Sequence, residues 1–176
     1  MNEYEFILKF RLPDADVDPE RFVGPLMEAG CDDATIGIGQ RGRIALDFTR
    51  TAASAMEAVV SAIADVKKGV PGAELVEASP DLVGLSDVAE LLGCSRQNIR
   101  KLMVTHAATF PTPAHEGTQS IWHLHPILDW FIAQQKRAID ATLVELSDAN
   151  MKVNVAKEVQ RLPGASVPAP LDSIFA

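Results

Sequence analysis

Cysteine is nearly absent from this chain of 176 residues, and Cys31 and Cys94 are too few and too isolated for a disulfide framework or a cysteine-based zinc site. Both are read as reduced thiols, with Cys94 where a small core residue is wanted. Long apolar runs are missing too. No stretch approaches the ~20 residues that a membrane-spanning helix requires. The opening MNEYEFILKF has neither the basic start nor the long apolar stretch of a signal peptide. A cytoplasmic protein is the expectation, with no membrane partner. Positive charge is short as well: 16 Lys and Arg face 24 Asp and Glu, a net −8. The deficit is local. Met1–Val83 holds 15 acids and 8 bases, Gly84–His125 holds 3 and 3, and Pro126–Ala176 holds 6 and 5. The first stretch would therefore be repelled by any phosphate-rich partner.

Catalytic and cofactor signals are also lacking in the first 80 residues. There is no His, no Walker-type loop and no metal-ligand spacing, and Asp32 with Asp33 reads as a turn entering a strand rather than an acid pair. The glycines of GIGQRG, Gly37 to Gly42, do not form a dinucleotide fingerprint. That motif opens a helix after a strand, whereas here strand character resumes at once in Arg43–Phe48. A hairpin glycine is the reading. The expectation is a protein that is not an enzyme and needs no cofactor.

What is present is apolar patterning, since 47% of the chain is hydrophobic and a buried core is available. Tyr4, Phe6, Leu8, Phe10 and Leu12 alternate with Glu5, Lys9 and Arg11 at the period of a half-buried strand. Asp18 and Pro19 cap and start a helix through ERFVGPLMEAG, closed by Gly30, with Pro25 as a kink or early end. ATIGIG and RIALDFT form a hairpin, AASAMEAVVSAIADVKK a second helix stopped by Gly69 and Pro71, and AELVEA an edge or central strand. The order βαββαβ is the split βαβ, or ferredoxin-like, arrangement. It gives an acidic α+β unit over residues 1–80, ending near Ser79 and Pro80.

The next stretch, LSDVAELLGCSRQNIRKLM from Leu85 to Met103, predicts a helix-turn-helix. Ser86 is the candidate N-cap of the first helix, Gly93 takes the left-handed turn, and Ser95 caps the second helix. Val88, Leu91, Leu92, Cys94, Ile99 and Leu102 are expected inside, with small Ala89 where the helices meet. Arg96, Gln97, Arg100 and Lys101 face away. Arg can meet guanine bidentately, Gln can meet adenine, and Ser95 with the free amides of a helix start can hold a phosphate.

FPTP (Phe110 to Pro113), AHEGTQS around Gly117, and IWHLHPILDWF then read as a hairpin leading into a helix. This succession resembles the winged helix-turn-helix of MerR-type and AlpA or excisionase-type regulators over roughly Leu82 to Phe131, under a third of the chain. The resemblance implies a DNA-binding domain over residues 82–131. Its candidate contacts are Ser95, Arg96, Gln97, Arg100 and Lys101 on the recognition helix, and His115, Thr118 and Gln119 in the wing. The wing tip departs from the pattern by carrying an acid, Glu116, where bases would strengthen phosphate contact. His123 and His125 flank Leu124 and would share a face on a strand, near His115 across the hairpin. No further ligand is specified, and no metal site is assigned.

Beyond the wing, Pro126 begins helix-friendly sequence that continues to about Leu162, with an interruption expected at Ser147–Asn150. Ile132, Ile139, Leu143, Leu146 and Val153 recur at intervals of three, four or seven. A seam of this kind needs a partner, either its own domain or a second copy; residues 132–162 are read as a helical dimerisation segment, and a homodimer is the expectation. Residues 163–176, PGASVPAPLDSIFA, are read as a flexible tail. The functional expectation is a sequence-specific regulator that binds double-stranded DNA as a homodimer. The alternative is an antitoxin-like or adaptor protein whose acidic unit or tail binds a protein partner.

Overall fold

The computed structural model describes residues 1–164, so the tail expected over 163–176 lies, from Ala165 onward, outside the described residues. It is a mixed α+β structure with a four-stranded antiparallel sheet and, among the described residues, six α-helices. Strand β1 (Asn2–Arg11) realises the predicted alternation: every even residue from Tyr4 to Phe10 is buried and its neighbours are exposed. It pairs along its whole length with β3 (Arg43–Ala52), from Asn2↔Ala52 to Arg11↔Arg43. Strand β2 (Ala34–Gly37) flanks β3, and β4 (Glu74–Ser79) flanks β1 on the other side, in the order β2-β3-β1-β4. The expected last strand is therefore an edge strand.

Helices α1 (Val23–Ala29) and α2 (Ala55–Gly69) cover the apolar face, where Phe6 and Phe48 stack at 5.3 Å between ring centroids. Ser54 caps α2 by accepting from the Glu57 N–H at 3.2 Å. Ahead of α1, Asp18 caps only a short 3-10 turn, Pro19–Phe22. The expected single helix is thus two pieces, and Pro25 falls in the first turn of α1, where a missing N–H costs no hydrogen bond. Gly42 in the β2–β3 loop has φ +68, and a Cβ there would lie 2.6 Å from the Ala15 carbonyl oxygen. Only glycine fits that turn.

The second unit comprises β5 (Leu82–Val83), α3 (Leu85–Leu91), α4 (Arg96–Thr105), β6 (Trp122–His123) and α5 (Leu124–Gln135). Its core combines Val88, Ala89, Leu92 and Ile99 from the helix pair with Phe110, Trp122, Trp130 and Phe131. Phe110 packs edge-on against both tryptophans, at 6.2 Å from Trp122 and 5.0 Å from Trp130. Trp122 Nε1 donates to the Pro111 carbonyl at 2.9 Å, so the FPTP segment is fastened to the base of the hairpin.

The C-terminal helix corrects three expectations. The helical stretch after the wing starts at Leu124 rather than Pro126 and breaks at Lys136–Asp140, not at Ser147–Asn150. Lys136 closes α5 in the left-handed region at φ 52, and Asp140 caps α6 (Ala141–Gln160) by accepting from the Thr142 N–H at 2.8 Å. Most of the seam is packed within the chain. Leu146 is 3% exposed in the sheet core and Val153 packs on that core, while Ile139 and Leu143 pack on the core of the second unit. Only Ile132 is substantially open, at 39%. Helix α6 is a wall common to both cores, which is why its apolar residues occupy more than one face.

Its buried polar residues bind the two units together. Asp81, fully buried, receives a hydrogen bond from Asn154 Nδ2 at 2.8 Å and lies 2.8 Å from His123 Nδ1. Asn154 also pairs with Ala78, accepting from its N–H at 3.0 Å and donating to its carbonyl at 2.7 Å. Asn150 Nδ2 donates to the Pro80 carbonyl at 3.1 Å. A buried carboxylate is tolerated only when such partners replace water.

Candidate nucleic-acid interface

The helix pair is built by its turn. Gly93, at φ +59, lets the chain reverse while its N–H reaches the Glu90 carbonyl at 3.0 Å and the Cys94 N–H reaches the Ala89 carbonyl at 2.9 Å. Arg137 adds a cap that sequence reasoning missed, its guanidinium donating to the Leu92 carbonyl at the end of α3. At the other end of α3 the expected Ser86 cap is displaced. Gly84 is the N-cap, and the Asp87 carboxylate reaches back to its N–H at 2.7 Å, leaving Ser86 inside the first turn. Leu91, expected inside, is 41% exposed, because α3 turns Val88, Ala89 and Leu92 toward the core.

Ser95 caps α4 as expected, its hydroxyl oxygen accepting from the Asn98 N–H at 3.2 Å. Ile99 is fully buried, and Leu102 packs beside the core. Ser95, Arg96, Gln97, Arg100 and Lys101 are all exposed. No salt bridge involves Arg96, Arg100 or Lys101 among the described residues. The N-terminus of α4 has no acid in its first turn, so its partial positive charge faces solvent together with Arg96. The combination can hold a phosphate at the helix start and present Gln97 and Arg100 to hydrogen-bonding partners beyond it.

Where a wing hairpin was expected, the pairing is slight. His115 and Ile121 form one isolated bridge, with both N–H···O bonds made, at 3.1 and 2.9 Å, while β6 pairs with β5 rather than continuing a hairpin. Thr118 and Gln119 are exposed in the intervening loop, as is His115 on the bridge itself. They stand on a different element from the helix residues: α4 packs chiefly on α3, and the wing strand on β5 and α5.

The histidines part company. His123 ends β6 against Asp81, whereas His125 lies in α5, with Nδ1 3.4 Å from Ser147 Oγ and Nε2 3.4 Å from Asp129. They do not share a strand face as the sequence suggested, because helix α5 begins between them. Among the described residues no group of three or more His, Cys, Asp or Glu is placed to hold a metal ion.

The first unit holds one dense polar cluster. Arg50, nearly buried on β3, donates to both oxygens of Asp33 (2.7 and 3.0 Å), to Asp65 (2.8 Å), to Ser61 Oγ (3.1 Å) and to the Gly30 carbonyl (2.8 Å). Burial opposes its charge, yet the hydrogen bonds to Asp33 and Asp65 outweigh that and hold its pKa above the usual value. The neighbouring Cys31 thiol is pushed up to about 11 by burial and by Asp65, which keeps it protonated and unreactive at neutral pH. Asp33 is thus a structural partner, a role the sequence concealed because Arg50 lies 17 residues away.

Among the described residues, no helix is long and apolar enough to cross a membrane. No family model, no curated protein and no solved structure matches the chain.

Proposed function

We propose that the chain is a sequence-specific DNA-binding protein that regulates transcription by occupying its operator, with α4 lying in the major groove. The observation that carries the reading is the division of α4. Ile99 is buried in the core that α3 and α5 residues also form, and the opposite face exposes Ser95, Arg96, Gln97, Arg100 and Lys101 at the start and along the outside of the helix. The tight left-handed turn at Gly93, and the short β5–β6 pair leading into α5, support reading residues 82–131 as a winged helix-turn-helix. The strand order β2-β3-β1-β4, with α1 and α2 as crossovers, supports a ferredoxin-like reading of the first unit. Its acidity keeps that unit away from phosphate.

One copy offers few contacts, and a good bidentate pair discriminates by only about 1–3 kcal/mol. Two copies on an inverted repeat, with half-sites about one helical turn apart or a multiple of it, double the readout. The experiment is selection of binding sites from random duplexes with the full chain, followed by salt titration. Replacing Arg96, Gln97 and Arg100 together by Ala removes specific binding, a loss on the order of 10³-fold or more. Gln97→Ala or Arg100→Ala alone relaxes base preference within each half-site. Lys101→Ala weakens binding to all sequences and lowers the salt slope by about one per half-site. No enriched motif, or unchanged affinity in the triple variant, rejects the reading.

A further inference from the structure

Strand β1 is partnered unequally on its two sides. On one side β3 accompanies it from Asn2 to Arg11; on the other β4 pairs only with Ile7–Arg11, because the chain leaves the sheet at Ser79–Pro80. The first half of β1, through Glu3 and Glu5, therefore has no strand beside it on that side among the described residues. A bare edge of this kind presents unpaired N–H and C=O groups that template another strand. This one opens on a groove of about 610 Å³ in which Leu91 of α3 and Leu143 and Leu146 of α6 supply apolar lining. Leu91, 41% exposed, is the most open of these apolar residues. Its charged lining residues among those described are Glu3, Glu5, Asp47 and Asp140, all acidic.

We propose that this groove docks an extended peptide of alternating apolar and basic residues from another protein, which adds as a strand along the first half of β1. The backbone edge selects an extended segment, since main-chain hydrogen bonds carry the affinity in strand addition. Alternation follows from strand geometry, which sends successive side chains to opposite faces, one row to the leucines and the other to the acids. Charge selects among occupants. A second copy would bring Glu3 and Glu5 against their own equivalents, nucleic acid would bring phosphate, and residues 165–176 carry Asp172 and no base. The partner touches both the sheet edge and α3, and the assignment stands independently of the DNA reading.

The test uses the full chain and a fluorescently labelled peptide, Lys-Val-Arg-Val-Lys-Val with blocked ends. Saturable anisotropy is expected, weakening as salt rises, with slowed hydrogen exchange at the Glu3 and Glu5 amides. The Glu3→Lys/Glu5→Lys variant, checked for native circular dichroism, should bind at least about tenfold more weakly, since two attractive pairs become repulsive. The peptide N-methylated at alternate residues should lose binding in one phase and keep it in the other. Failure of the basic peptide to bind, equal binding by a version with Glu at the basic positions, or equal binding by both N-methylated phases overturns the proposal. So does a dimer of the free chain by sedimentation that Glu5→Pro abolishes, which would give the edge to a second copy.

Discussion

In the sheet unit Arg50 commits all five of its N–H donors to protein acceptors, while in the helix pair Arg96 and Arg100 stand exposed on α4 without an ion pair among the described residues. The two regions divide the work of charge. In the first, charge is consumed internally: Arg50 ties β3 to α2 and to the loop after α1, with its guanidinium 4.9 Å over the Phe48 ring. In the second, the core is held by aromatic packing and backbone capping, which leaves the basic side chains of α4 free to meet another molecule. A buried, saturated arginine serves stability, whereas an exposed one keeps its donors for water or another molecule. The residue type alone does not say which.

The contrast can be broken first at the joint between the regions. Asn154→Leu should remove three hydrogen bonds and leave Asp81 buried with His123 as its remaining side-chain partner, a loss of about 3–5 kcal/mol in urea unfolding of the full chain. Because α6 belongs to both cores, the two units should melt together, and separate transitions monitored by tryptophan fluorescence and far-ultraviolet dichroism would refute a common wall. Next is Arg50→Met, expected to cost about 2–3 kcal/mol. Asp33 and Asp65 lose their partner but keep some contact with water, which makes the penalty smaller than for a fully buried pair. DNA affinity at saturating folded protein should not change, and a loss there would contradict the division of roles.

Smaller effects sharpen the comparison. Ser95→Ala removes the α4 cap and should cost about 1 kcal/mol, read as earlier unfolding and faster amide exchange in the first turn of α4. The least effect concerns pH. Hydrogen bonds from the Thr142 hydroxyl and N–H lower the Asp140 pKa below its ordinary 3.8. A lowered folded value means that this cap contributes fully above the unfolded value and is lost as pH falls through the folded one. Wild type should therefore lose stability below about pH 4 more steeply than Asp140→Asn, which has no carboxylate to protonate there. Parallel acid limbs in the two proteins would remove Asp140 from the account.

Much of this was legible in the residues because it depends on local physics. The alternation of Tyr4 to Phe10 needs only the period of a strand, the Gly93 turn only a residue at ease with positive φ, and the Ser95 cap only a hydroxyl ahead of a helix. The misread features were those where local signals compete. Lys136 in a left-handed closure gave no glycine to announce the break, although Asp140 two residues before Thr142 was a usable cap signal. The polar residues Ser147 and Asn150 looked like an interruption, but with Asn154 they form a stripe at helical spacing that turns inward. The sites for Asn150 and Asn154 come from Pro80 and from Ala78 and Asp81, 70 or more residues distant.

By itself, the sequence determined the elements of the sheet unit, the helix pair with its exposed basic face, and the step in charge between the two regions. Periodicity, capping and composition are properties of neighbouring residues and survive without a third dimension. Only the tertiary structure decided that α6 is packed into both cores, that Arg50 and Asp33 are partners, and that, among the described residues, half of β1 is unpaired on one side. Each depends on which distant segment packs against a surface. An apolar stripe states a need for burial, and the folded chain decides what meets it.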